Sequence, residues 1–340
     1  MKRMLTAFFL LFNAAWAQVT PGTGPTLYGY VKAWYLADYS TNQGGLSINM
    51  ARLGVKGTVN EYAGYRLFVD FTRLGILQTK TTTLDGVNYL TSASATFSNY
   101  LLDADAFVKP VKNLTIDMGQ FKVPFSTDNL RSGAATDFVN RPLTTNVTPG
   151  LRDMGFMATY DINGGTPVEI SGGAFNGAGQ NRTENDRTAN YALRAAVHPM
   201  KTLGLSANYY GGKLSGAAVN IYDLGFDMKL GSIFLDGEFA ARGSNLDGAT
   251  TNSNSFFLYT YYDVNLGNFE ISRLIPAVRY ERYDPSTAVS NNEVYRTTFG
   301  VALEFARVTF AQFRLNYELF DYKNGSVNPN KLIVEMQTRF

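Results

Sequence analysis

Leu27-Tyr28-Gly29-Tyr30-Val31-Lys32-Ala33-Trp34-Tyr35-Leu36-Ala37-Asp38-Tyr39 changes character at every second residue. Odd positions hold Leu27, Val31, Ala33, Tyr35 and Ala37, while Lys32, Trp34 and Asp38 stand between them. A period of two is the mark of a strand whose faces meet different surroundings. The pattern recurs. Leu53, Val55 and Gly57 interleave with Arg52, Lys56 and Thr58, and Tyr65, Leu67 and Val69 with Arg66, Phe68 and Asp70. Tyr222-Leu224-Phe226-Met228 alternates with Asp223, Gly225, Asp227 and Lys229; Phe313-Leu315-Tyr317-Leu319 alternates with Arg314, Asn316 and Glu318. No stretch reads as an amphipathic helix.

About sixteen such segments run from 27–39 to 331–340, at the length of tilted membrane-crossing strands. Short connections alternate with longer ones at 40–46, 74–97, 123–152, 177–188, 211–218 and 243–254. Periplasmic turns and extracellular loops of an outer-membrane barrel alternate in this way. A closed barrel also leaves no unpaired backbone donors in lipid. The expected fold is therefore all-β, a transmembrane antiparallel β-barrel over 27–340. The final strand places Leu332, Val334, Met336 and Phe340 on one face, and a terminal aromatic there suits recognition by the outer-membrane assembly machinery. Pro276, inside one segment, must cost a ladder bond or mark a bulge.

The first residues read as an address. Lys2 and Arg3 precede an apolar run from Met4 to Phe12, and Ala15 and Ala17 give a small-x-small cleavage pattern. This predicts a signal peptide over 1–17, followed by a short periplasmic segment, 18–26. Gln18, not Cys, follows the expected cut, so no lipid anchor is predicted.

Composition narrows the chemistry. The 340 residues include 30 Lys+Arg, 28 Asp+Glu, one His and no Cys. Without Lys2 and Arg3, basic and acidic residues balance at 28 each, which does not suit a nucleic-acid binder. The absence of Cys excludes disulfides, thiolate nucleophiles and Cys-ligated zinc. His198 precedes Pro199 in a predicted turn, and no nucleophile has an evident base. Gly177-Ala178-Gly179 follows a strand and precedes no helix, so it is a loop and not a dinucleotide site. No catalytic residue, metal site or cofactor is predicted, and the chain does not read as an enzyme.

A barrel of this size leaves an aqueous channel. Charges on the lipid face would cost about 2–4 kcal/mol each near the midplane, so the charged face should line water. Lys32, Arg52, Lys56 and Arg66 gather on the first three strands, opposed by Asp223, Asp227, Asp236 and Glu238. Val123 to Arg152 would form the third extracellular loop and is the longest connection. With Lys122, Arg131, Arg141 and Arg152, it is the candidate for an inward-folded constriction. A loop this long without its own pattern is usually functional or disordered, and Phe125, Leu130, Phe138 and Leu143 favour packing. The predicted function is passive diffusion of small hydrophilic solutes or ions. The rivals are a non-selective pore and a plugged structural or adhesion barrel.

Four stretches also resemble the phosphate- and polyphosphate-selective porins: Gly119-Gln120-Phe121-Lys122-Val123-Pro124-Phe125-Ser126, Arg152-Asp153-Met154-Gly155-Phe156, Gly173-Ala174-Phe175-Asn176-Gly177 and Ile275-Pro276-Ala277-Val278-Arg279-Tyr280-Glu281. The resemblance implies a trimeric sixteen-stranded pore in the bacterial outer membrane, with the third loop folded inward and an anion or phosphate preference. Anion-selective members carry an arginine-rich constriction. Here the loop arginines are accompanied by Asp128, Asp137 and Asp153.

Overall fold

The structure, a computed structural model, describes residues 24–73, 76–84, 87–96, 100–183, 187–267, 270–305 and 310–340. The expected signal peptide 1–17 lies outside the described residues. So do most of 18–26 and the turn expected at Ala306 to Val308.

The described strands are β1 (Thr26–Asp38), β2 (Gln43–Asn60), β3 (Ala63–Asp70), β4 (Ile76–Leu84), β5 (Val87–Thr96), β6 (Leu101–Val111) and β7 (Leu114–Lys122). After a long connection come β8 (Arg152–Ile162), β9 (Val168–Phe175), β10 (Asn190–Met200), β11 (Leu203–Leu214), β12 (Ala217–Leu230) and β13 (Ile233–Leu246). The last are β14 (Ala249–Tyr262), β15 (Val264–Asn265), β16 (Ile271–Asp284), β17 (Val294–Phe305), β18 (Phe310–Tyr322) and β19 (Lys331–Arg339). β1 pairs antiparallel with both β2 and β19, so the main sheet closes without a free edge. β15 prolongs β14, and β4 and β5 stand apart, which leaves sixteen strands in the barrel.

Alternation decides which way each side chain points. Val31, Leu53, Leu67, Leu193, Leu224 and Leu315 are exposed on the outer surface. Their in-strand neighbours Lys32, Arg194, Asp223 and Arg314 are buried. An apolar exterior around a charged interior is what lipid outside and water inside require.

The structure departs from the sequence expectation at three connections. The stretch expected as a plain loop at 74–97 contains β4 and β5, paired as a separate two-stranded sheet. Its β-branched Thr79, Thr81, Thr82 and Thr83 suit a strand. The loops expected at 211–218 and 243–254 shrink to two residues, because β11–β12 and β13–β14 pair out to Leu214↔Ala217 and Leu246↔Ala249. Ser215-Gly216 and Asp247-Gly248 both have positive φ (52° and 85°, 51° and 88°). Two successive left-handed residues make the tight hairpin turn, and glycine at the second position is what tolerates it.

Pro276 produces no bulge. The β14–β16 ladder stops at Tyr261↔Ala277 and resumes as β15–β16 at Val264↔Leu274, so Pro276 falls at the gap. It pairs toward β17, with Val301. Beside this gap Arg273 donates two hydrogen bonds to Asp263 (2.9 and 2.7 Å).

Candidate functional site

The inner face of the first strands is a lattice set by register. One row runs Tyr30, Arg52, Asp70, and the next runs Tyr28, Gly54, Phe68, Asp103. A third runs Thr26, Lys56, Arg66, Asp105. Arg52 Nε donates to Asp70 (2.8 Å) and its Nη1 to the Tyr30 hydroxyl (2.6 Å). Arg66 Nε donates to Asp105 (2.9 Å), and Arg152 binds both oxygens of Asp103 (2.8 and 3.3 Å). Each guanidinium has five N–H donors, so these pairs hold the side chains in place without exhausting them.

Residues 123–151 make hydrogen bonds with side chains of β7, β13, β14, β16, β18 and β19. Ser126, with φ of 66°, caps a single helical turn, Thr127–Leu130, by accepting from Asn129 N, and it donates to Glu238 at 2.7 Å. Lys122 Nζ donates to the carbonyls of Asn129, Leu130 and Arg131 (2.8, 3.0 and 2.5 Å). Arg131 pairs with Asp236 and donates to the Tyr259 hydroxyl at 2.5 Å. Arg141 binds Asp128 at 2.8 Å and the Arg131 carbonyl at 2.9 Å. Further along, Val139 N donates to Asn316 (2.8 Å), Asn140 to Glu318 (3.0 Å) and Leu143 N to Glu281 (2.7 Å). Arg314 donates to the carbonyls of Thr136 and Phe138, and Gln337 donates to that of Ala134.

Between this segment and β1–β3 and β6–β8 lies a cavity of about 600 Å³. Arg52, Arg66, Lys122 and Arg152 line it from the strands, and Arg73, Arg141 and Arg339 complete its basic lining. Asp103 is the acid among these lining residues. Tyr28, Tyr30, Trp34 and Phe68 supply aromatic surface. A second cavity, about 470 Å³, is bordered by Lys56, Arg66 and Lys109 with Asp105 and Asp117.

The eight basic residues singled out from sequence divide accordingly. Arg52, Arg66, Lys122, Arg141 and Arg152 surround the larger cavity, whereas Lys56 borders the second. Lys32 is 1% exposed and sits 3.6 Å from Glu335, away from both. Arg131 is engaged by Asp236, Asp137 and Tyr259. Of the acids expected to face the basic strands, Asp236 and Glu238 bind residues 126–131, and Asp223 accepts from Asn208 at 2.5 Å. Arg73, Arg339 and the four aromatics were not singled out. Tyr28, Tyr30 and Trp34 on the charged face of the first strand were the available signal.

This geometry makes a thiol-labelling prediction. With no native Cys, Arg52→Cys should react with a membrane-impermeant reagent, and Leu53→Cys, on the lipid face, should not. Lys32→Cys should also stay unlabelled, although alternation puts it on the inner face. Equal labelling of Lys32→Cys and Arg52→Cys would contradict the burial of Lys32.

A closed sixteen-stranded barrel, apolar outside and charged within, with a basic cavity along its interior, defines the class: an outer-membrane porin, a channel of the bacterial outer membrane. The sequence model described as "Phosphate-selective porin O and P" matches residues 34–235, and the chain belongs to that family. The family and the fold are those of channels rather than enzymes. No curated protein matches the chain. Its fold is similar to that of an anion-selective porin from Comamonas acidovorans, at 14% identity and a TM-score of 0.66, over 94% of this chain and 100% of that one. Salmonella typhi OmpF in complex with daunomycin aligns at 16% identity and a TM-score of 0.62, covering 94% of this chain and 98% of that one. The trimer form of OmpT from Vibrio cholerae aligns at 11% identity and a TM-score of 0.62, covering 94% and 100%.

Proposed function

We propose that the channel passes small hydrophilic solutes by passive diffusion with a preference for anions, phosphate among them. Residues 123–151, folded into the lumen, form its constriction. The observation that carries this reading is the cavity lining, seven Arg and Lys side chains against one Asp. Low-dielectric walls focus the field of such a cluster, and charge at a constriction governs ion preference more than charge at a wide opening. The bonds of residues 126–143 to β13, β16 and β18 support the constriction. In the same reading 1–17 directs export, Phe340 is read by the outer-membrane assembly machinery, and the working form in the lipid is a homotrimer, as family membership suggests.

Planar-bilayer recording tests it. Across a KCl gradient the reversal potential should have the sign of chloride preference, and phosphate should carry current. A second reading, a non-selective pore, draws on the pairing of Arg52, Arg66 and Arg152 with Asp70, Asp105 and Asp103. It predicts a reversal potential near zero. A plugged barrel predicts no conductance.

A further inference from the structure

Tyr28 and Phe68 stand two strands apart, yet their rings stack with centroids 5.2 Å apart and planes 22° from parallel. They can meet because Gly54 lies between them in the row. A Cβ on Gly54 would come within 2.5 Å of the Tyr28 ring and 2.7 Å of Phe68. Tyr30 adds a tilted contact to Phe68 at 6.2 Å. Cations flank the rings: Arg52 lies 5.5 Å from the Tyr30 centroid and Lys56 5.4 Å from that of Tyr28. Support of residues 123–151 accounts for Tyr30 and Phe68, which are buried with Leu102 and Ala134. Tyr28 packs against the same cluster yet stays half-buried, and Trp34 lies outside it; both line the cavity.

We infer that this aromatic ridge beside Arg52 and Arg66 is a binding subsite for organic anions with a flat ring, specifically aromatic monocarboxylates. The inference rests on the anion preference proposed above and adds the solute's shape to it. An inorganic anion is served by the guanidinium groups alone and makes no use of a ring. A flat ring gains an offset or edge-on contact with Tyr28 or Trp34, while its carboxylate accepts charge-assisted hydrogen bonds from an arginine. The spacing suits this. Inner-face neighbours along a strand are two residues apart, about 7 Å, roughly the span of a benzoate from ring edge to carboxylate. A cavity of about 600 Å³ lies within the range of sites for small organic ligands.

Single-channel recording in KCl, with benzoate or acetate added, tests the subsite. Benzoate should interrupt the current at concentrations roughly threefold to tenfold lower than acetate does, the value of about one aromatic contact. Tyr28→Leu, which keeps bulk and removes the ring, should erase the difference, and Tyr28→Phe should retain it. If Tyr28→Leu fails to insert as an open channel, Trp34→Leu gives the second measurement and should narrow the difference. Equal block of the parent by benzoate and acetate would overturn the inference, as would a difference that survives the Leu variant. The parent's reversal potential separates the two failures. A value near zero removes the anion preference itself, whereas a chloride-preferring channel blind to benzoate removes only the aromatic subsite.

Discussion

Replacing Arg52, Arg66 and Arg141 together by Gln is expected to abolish the anion preference proposed for the channel. All three line the larger cavity, and their carboxylate partners Asp70, Asp105 and Asp128 do not. Glutamine keeps a hydrogen-bond donor toward each carboxylate but removes the charge. The triple variant leaves Arg73, Lys122, Arg152 and Arg339 facing Asp103 and the three newly uncompensated acids, so the local balance falls to neutral. A unit charge about 6 Å from a permeating ion acts with about 3 kcal/mol at an effective dielectric constant of 20. Over that distance the screening of 0.1 M salt, with a Debye length of about 10 Å, is incomplete. The chloride-to-potassium permeability ratio should therefore fall by about tenfold or more, and most steeply at low salt. Lys32→Gln is the control and should leave the reversal potential unchanged, because Lys32 is sealed from the cavity and Glu335 keeps its bond from Arg314. A triple variant that retains the parent's reversal potential would show that ions do not pass this cavity.

The barrel was legible because a period of two states, residue by residue, which face each side chain takes. Arg52 inward and Leu53 outward needed no knowledge of any partner strand. The turns at Ser215-Gly216 and Asp247-Gly248 were hidden inside polar stretches that read as loops. There the ladders run on to Leu214↔Ala217 and Leu246↔Ala249 through residues that carry no apolar alternation to mark a strand. The site was less legible for a related reason. Alternation places Lys32, Arg52 and Arg131 near the interior but does not say what stands across it. Glu335 and Asp236 answer Lys32 and Arg131 from far along the chain, so two candidate charges have partners that no local pattern announces. The stacking of Tyr28 on Phe68 across Gly54 likewise depends on register, which becomes visible only when the strands are paired.

Glu281→Ala is expected to loosen residues 123–151, the proposed constriction, while leaving the barrel closed. The Glu281 carboxylate is 0% exposed and takes hydrogen bonds from Arg296 (2.5 and 3.0 Å) and from Leu143 N at 2.7 Å, with Arg279 Nε 3.1 Å away. It ties β16 and β17 to the middle of residues 123–151. Alanine would leave two buried guanidinium groups, Arg279 and Arg296, without this carboxylate, a loss of about 3–5 kcal/mol for breaking a buried ion pair. Arg296 has a further partner in Glu318 at 3.5 Å, but Arg279 Nε and Nη2 have no hydrogen-bond partner even in the parent. Water must enter to solvate Arg279, and the region it reaches is the packing of Phe138, whose ring lies under Arg279, against Phe257 and Tyr259. The sixteen-stranded ladder does not depend on Glu281, since its backbone bonds to β14 and β17 are unaffected. Melting of the sheet should therefore shift little, while single-channel conductance rises and open-channel noise increases as residues 136–146 lose an anchor. Glu281→Gln, which can still accept from Leu143 N, should fall between parent and Ala. If Glu281→Ala conducts with the parent's amplitude and noise, Glu281 is not the anchor that sets the segment's position, and the remaining bonds from Glu318, Arg314, Asn316 and Gln337 hold it.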